Sequence, residues 1–252
     1  HRFTPMIIPR EITRDSKNYS FVIQGPVYIE YTHHTINSIR KSYPDAEIIL
    51  STYIGENLAY LSLDGVTLIE NKDPGADNWN ITRQIKSSYE GIIAANRDIV
   101  VKCRSDLLFL NSNLRSHIGY WETSPNSVFT HRVYVGHLDS HKSWASWLAL
   151  SDHMYCGLKG DLVRLFSIPY PAKDDQSGPE RYLTKGYIES RVGPLDRSND
   201  LSDQIIRDNF CVLHTEREAG YICQKYKMYK DKASDKLIMG NLDWQRLYYE
   251  NI

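Results

Sequence analysis

Residues Ile99–Leu110 read IVVKCRSDLLFL, and no other stretch narrows the choice of fold so far. Ile99, Val100 and Val101 are β-branched, and three in succession suit a strand buried on both faces, as in a parallel sheet. Lys102, Arg104, Ser105 and Asp106 then crowd together before Leu107–Leu110 turn apolar again. Open α/β sheets place ligand chemistry where a buried strand ends in polar residues. A carboxylate there can hold a divalent cation, while Lys102 and Arg104 can meet phosphate oxygens. Arg104-Ser105-Asp106 is therefore read as a diphosphate-metal site, with a plain salt bridge between Arg104 and Asp106 as the alternative.

The segments before it supply a sheet. Tyr19–Ile23 (YSFVI) is a strand that leaves through Gln24-Gly25-Pro26, a sharp exit with exposed backbone. Thr32–Tyr43, with Ile36 and Ile39 and a basic end, predicts a helix. Glu47–Tyr53 and Val66–Glu70 are two further strands, the second running into Asp73-Pro74-Gly75. Asn80–Ala95 has Ile81, Ile85, Tyr89, Ile92 and Ile93 at helical spacing, with Asn80, Arg83, Gln84 and Ser87 sharing its polar side. The order strand, helix, strand, strand, helix, strand predicts a doubly wound, mostly parallel α/β sheet flanked by helices.

Beyond position 110 the pattern predicts helices over Asn113–Glu122, Asp161–Phe166, Pro179–Glu189 and Leu201–Phe210. Strands are expected at Ser127–Val135 and Cys211–Leu213, followed by a weakly structured, lysine- and tyrosine-rich tail. Residues 1–18 read as an arm. No repeat, linker or break in composition divides 19–252, so a single domain is expected.

Thirty basic residues against thirty-one acidic leave a net charge of -1, which implies no nucleic-acid or anionic-membrane partner. The cysteines, Cys103, Cys156, Cys211 and Cys223, form no CxxC pair and read as buried thiols of a reducing compartment. No apolar run is long enough to span a bilayer and no secretory signal opens the chain, so a soluble cytoplasmic protein is expected.

Neither GxGxxG nor GxxxxGK[ST] occurs, so a nucleotide would need a metal and cationic side chains. Lys102, Arg104, Arg83 and Asp106 can supply them. The plainer alternatives are definite. Arg83 can pair with loop carboxylates on a solvated helix face, and Asp73 can simply open an Asp-Pro turn. Asp152 can be a cap, Glu180 can complement a helix dipole, and His214, a candidate metal ligand, can be an ordinary surface histidine.

Taken in order, FVIQGP, SIRKSYPDAEIILST, NKDPGA, NITRQIKSSYEGI, VVKCRSDLLFL, SDHMYCGLKGDLVRLF and PERYL resemble the WavE-like lipopolysaccharide-synthesis proteins over roughly 19–215. That resemblance implies a GT-A-like glycosyltransferase with one Rossmann-like nucleotide-sugar-binding domain: a donor half at about 19–125, an acceptor half at about 126–220 and a tail at 221–252. It implies a DxD-type triplet, here Arg104-Ser105-Asp106, whose first carboxylate is replaced, so that manganese or magnesium would be weakly held. Gln24, Gly25 and Asp73 would lie near the nucleoside; Asn80, Arg83 and Gln84 would face ribose, phosphates or donor sugar. Asp152, slightly ahead of Glu180, is expected to take the acceptor proton. The acceptor would be a surface polysaccharide or lipid-linked glycan, met at the inner face of the membrane through peripheral association. A nucleotidyltransferase and a non-catalytic carbohydrate-binding or assembly module are the competing expectations.

Overall fold

The structure is a computed structural model and describes residues 15–77, 79–118, 124–138, 140–142, 146–172 and 175–224. Four parallel strands form one side of its main sheet: β1 (Tyr19–Gln24), β2 (Glu47–Tyr53), β3 (Val66–Asn71) and β4 (Ile99–Arg104). β1, β2 and β4 are buried along almost their whole length, which is why they read as apolar runs. Beyond β4 lie β7 (Met154–Leu158) and β6 (Val133–Gly136), each antiparallel to its neighbour, and then β8 (Phe210–Leu213), parallel to β6. The strand order is β3-β2-β1-β4-β7-β6-β8.

Alternation along β1 assigns its two faces. Tyr19 and Phe21 meet Tyr43, which ends helix α1 (Thr32–Ser42), at ring separations of 5.9 and 4.6 Å. Val22 and Gln24 point the other way, toward helix α2 (Ile81–Ala94). Ile81, Ile85 and Ile92 are buried on α2 at the expected spacing. Gly91 lets this helix approach the sheet: a Cβ there would lie 2.9 Å from Ser51 Cβ and closer still to Val22 Cγ1. Parallel strands β2 and β3 are joined by residues 54–65 without a helix.

Three expectations need correcting. The strand expected at Ser127–Val135 is confined to β6, because the preceding amides are spoken for by side chains. Val128 N–H donates to Asn209, and Thr130 and His131 N–H donate to the Asp161 carboxylate, so no ladder forms there. The helix expected at Asn113–Glu122 is described only over α3 (Leu114–His117); 119–123 lie outside the described residues. The tail begins with a strand, β9 (Tyr221–Cys223), antiparallel to β5 (Leu107–Phe109), while 225–252 again lie outside. Of the expected arm, Ser16–Asn18 forms a short 3-10 turn tied to Asp45 through Ser16, and 1–14 lie outside. Helices α4 (Lys159–Leu165), α5 (Pro179–Val192) and α6 (Asn199–Asn209) fall where helical spacing placed them. All four cysteines are buried thiols.

An added methyl at position 91 would have to push α2 off β1 and β2. Gly91→Ala is therefore expected to lower unfolding free energy by about 1–3 kcal/mol despite alanine's better helix propensity. Urea denaturation checks this, and a stabilised variant would contradict the packing described.

Candidate functional site

Chain connections leave β1 in one direction, through α1 to β2 and β3, and return through α2 to β4 on its other side. In such sheets the ligand lies in the crevice outside the carboxyl ends of the strands, at the point where the strand order reverses. Gln24 and Arg104 are register partners at that point. A cleft of about 790 Å³ opens there, lined among others by Gln24, Tyr53, Asp73, Arg83, Arg104 and Asp152. Gly25, Asn80, Gln84, Asp106 and Glu180 border it too, so residues far apart in sequence converge on one sheet edge.

The cleft is built from interlocked polar pairs. Gln24 Oε1 accepts from Ser87 Oγ, and Tyr53 Oη donates to the Arg83 carbonyl at 2.9 Å, tying β1 and β2 to α2. Ser105 Oγ donates to the Pro26 carbonyl at 2.6 Å, closing the loop after β1 against the loop after β4. Gly25 adopts φ 112°, the left-handed region in which a side chain would be strained. Gln84 Nε2 donates to Asp152 Oδ2 at 2.9 Å. The start of α2 is held by a residue the sequence reading passed over: Asp77 accepts from the N–H groups of Trp79, Ile81 and Thr82. Burial works against that carboxylate's charge, yet the three donors hold its pKa below the ordinary value. Asn80 precedes the helix at φ 56° and does not cap it; its Oδ1 accepts from Arg83.

Two arginines face this cleft, each forked onto a carboxylate. Arg104 donates from Nε and Nη2 to the two oxygens of Asp106, at 3.0 and 2.7 Å. Arg83 donates likewise to Asp73, at 2.8 and 2.6 Å. The plain salt-bridge alternatives for both arginines are thus what the structure contains, alongside their place in the cleft. Asp73 also accepts from Gly75 N–H, as an Asp-Pro turn would have it. Its carboxyl lies below the usual range because of Arg83, and Arg83 is raised in turn. Burial opposes the charge on Arg104, but the adjacent Asp106 outweighs it and raises the pKa. The pairs differ in wetness: side-chain exposure is 21% and 1% for Arg104 and Asp106, against 31% and 43% for Arg83 and Asp73.

Two expected site residues are not brought to the cleft. Lys102 is fully buried, its Nζ donating to the Asp152 carbonyl at 2.7 Å and lying 5.6 and 5.7 Å from the Tyr155 and Phe166 ring centres. It shares register with Val22, on the face that α2 covers, so it cannot meet a ligand phosphate directly. Burial pulls its pKa down to about 8, against the attraction of Asp152. His214 follows β8, three strands from β4 and so about 14 Å away across the ladder. Its ring lies beside His137 at 4.5 Å, and it is no partner for Asp106.

The aspartates of the cleft do not fit a divalent metal as they stand. Both Asp106 oxygens are engaged by Arg104, both Asp73 oxygens by Arg83, and Asp152 Oδ2 by Gln84. Among the described residues no three His, Cys, Asp or Glu side chains gather to hold one. Tyr28, Tyr53, Glu56 and Trp79 also line the cleft, and no sequence motif marks them as site residues. Trp79 is the most telling, a tryptophan 59% exposed at the lip. The available signal was an aromatic residue just past a strand or just before a helix on the ligand edge.

A mostly parallel seven-stranded sheet flanked by helices, with a polar, arginine-bearing cleft at its switch point, makes this a mixed α/β protein consistent with a Rossmann-like fold. The chain belongs to the family described as WavE lipopolysaccharide synthesis, whose profile matches residues 19–194. Every cleft residue named above falls within that span. No curated protein matches the chain. Family membership gives it a role in lipopolysaccharide synthesis. Among the described residues no helix is long and apolar enough to cross a membrane.

The two arginine pairs should respond differently to neutralisation. Asp106→Asn leaves Arg104 without its buried counter-charge and is expected to cost about 3 kcal/mol of stability. Asp73→Asn, at an exposed pair, should leave the unfolding midpoint unchanged. Equal midpoints for the two variants in urea would contradict this ordering.

The buried lysine makes a second prediction. Unfolded, Lys102 keeps its proton up to the ordinary value of 10.5; folded, it releases it near 8, so folding gains stability as pH rises between those values. The unfolding free energy of wild type relative to Lys102→Met should therefore rise by on the order of 3 kcal/mol across that interval. A pH-independent difference would refute the burial.

Proposed function

We propose that this protein is a glycosyltransferase that moves a sugar from a nucleotide-sugar donor to a lipopolysaccharide or lipid-linked glycan acceptor. The observation that carries the reading is one cleft at the switch point that combines two forked arginines, an exposed tryptophan and the carboxylates of Asp152 and Glu180. Its volume lies in the range that ordinarily holds ligands of nucleotide size. Family membership supports a substrate on the lipopolysaccharide route.

Transfer makes three demands that these residues can meet. The acceptor hydroxyl oxygen attacks the anomeric carbon, the bond from that carbon to the diphosphate oxygen breaks, and the diphosphate leaves with the electron pair. Negative charge grows on the leaving group, which Arg83 and Arg104 would stabilise. The hydroxyl proton goes to a carboxylate. Asp152 is the favoured base: Gln84 fixes one of its oxygens and Lys102 fixes its carbonyl, so the group is oriented before substrate arrives. Glu180, in the first turn of α5 on the same cleft, is the other candidate. Trp79, exposed at the lip, offers a face for a base or a sugar ring, with Tyr28 beside the same cleft.

The test separates binding from chemistry. Nucleoside diphosphate release from a panel of nucleotide sugars, with lipopolysaccharide acceptor, should fall at least about 100-fold in Asp152→Asn with diphosphate affinity kept, as expected for loss of a general base. Glu180→Gln should fall less. Arg83→Ala should weaken diphosphate binding by roughly tenfold to a hundredfold, the scale of a charged hydrogen bond. Release of diphosphate from none of the donors, or full turnover by Asp152→Asn and Glu180→Gln alike, would overturn the reading.

A further inference from the structure

We infer that the donor diphosphate is held by guanidinium groups in place of a divalent cation, with Arg104, braced from behind by Asp106, at the position a metal would take. The inference rests on the donor-site reading above and adds which chemistry grips the phosphates.

A protein can hold a diphosphate with loop amides, an open helix N-terminus, a metal on carboxylates, or cationic side chains. Around Arg104 and Arg83 the groups that could serve the first three are already taken up. Gly25 N–H, the amide most exposed to such a role, donates to the Ser51 carbonyl at 3.1 Å. The leading amides of α2 point to the cleft end of the helix, but Asp77 already takes those of Ile81 and Thr82 at 2.7 Å each. A metal would need carboxylate oxygens, and those of Asp106 and Asp73 are fully engaged by arginines. Freeing Asp106 would strip Arg104 of its counter-charge inside the protein, a strongly unfavourable exchange.

Cationic side chains remain. Lys102 is excluded by burial, which leaves Arg104 and Arg83. Arg104 spends Nε and Nη2 on Asp106, and its Nη1 has no hydrogen-bond partner among the described residues. Asp106 is 1% exposed and Arg104 21%, so the positive end of the pair is the one presented to the cleft. The brace also removes the conformational freedom a phosphate would otherwise have to freeze out of a long side chain. Arg83, held flat by Asp73 at the lip, would offer a second guanidinium to the same ligand.

Calorimetry of the full chain with uridine, guanosine and cytidine diphosphates decides the matter, run once with EDTA and once with manganese. The diphosphate that binds should do so in EDTA within about threefold of its affinity in manganese, a difference well under one kcal-scale interaction. Binding that requires manganese would overturn the inference while leaving the donor-site reading intact. Binding of no nucleoside diphosphate in either buffer would overturn both. Arg104→Gln gives the residue-level arm: affinity for the diphosphate should drop by roughly tenfold to a hundredfold with and without manganese, and affinity for the bare nucleoside should hold. Arg104→Lys should recover part of the loss. A folded Arg104→Gln protein with wild-type diphosphate affinity would overturn the inference; if the variant does not fold, the wild-type comparison in EDTA and manganese decides alone.

Discussion

Gln24 and Arg104 sit side by side at the ends of two adjoining parallel strands, from which the strand order runs toward opposite edges of the sheet, to β2 on one side and to β7 and β6 on the other. Ser105 ties the loops after these two strands together, and the cleft opens between them and the start of α2. The polar inventory of the cleft follows from that placement. Residues that end a strand buried on both faces are the first that can reach water, so Gln24, Tyr53, Arg104 and Asp106 all occur there. The helix that crosses beneath the cleft must come close to complete it. Gly91 permits that approach, and Ser87 and Gln84 then reach Gln24 and Asp152 from its polar side.

Within this arrangement burial, more than residue type, determines what each charge does. Arg83 and Arg104 make the same forked contact with an aspartate. The wetter pair is a rim feature screened by solvent, while the drier one is a fixed element of the wall. Lys102 carries the comparison to its limit. Enclosed between β4, β7 and the helices, it keeps one hydrogen bond and two ring faces, and its affinity for a proton falls accordingly. Its contribution to the site passes through the backbone of Asp152.

How much of this is legible in the residues follows the same physics. The first four strands and both intervening helices stand out because burial on two faces demands continuous apolar runs, and one-sided burial demands helical spacing. The convergence of Gln24, Asp73, Arg83, Arg104 and Asp106 follows from topology alone. Lys102 reads as a ligand group beside Arg104, yet its position two residues after Val100 on a central strand puts it on a covered face. Asp77 escaped notice because Asn80 stood nearer the helix start; only the left-handed turn at Asn80 shows that the cap lies three residues earlier. The strand expected across 127–132 failed for a reason that no pattern of side chains carries, since its amides are consumed by Asp161 and Asn209 from distant helices.

The matched family span ends at 194, yet the wall of the cleft depends on residues beyond it. β9 pairs with β5, the strand that follows Asp106 directly, and Gln224 N–H donates to the Asp106 carbonyl at 2.9 Å. Cys223 Sγ lies 3.7 Å from Asp106 Oδ2 and helps to seal that carboxylate from water. The dryness of the Arg104–Asp106 pair is thus set partly by residues 221–224. That dryness is what keeps the fork closed and its guanidinium turned outward, so the late strand belongs to the phosphate-facing machinery as much as the strand ends themselves do.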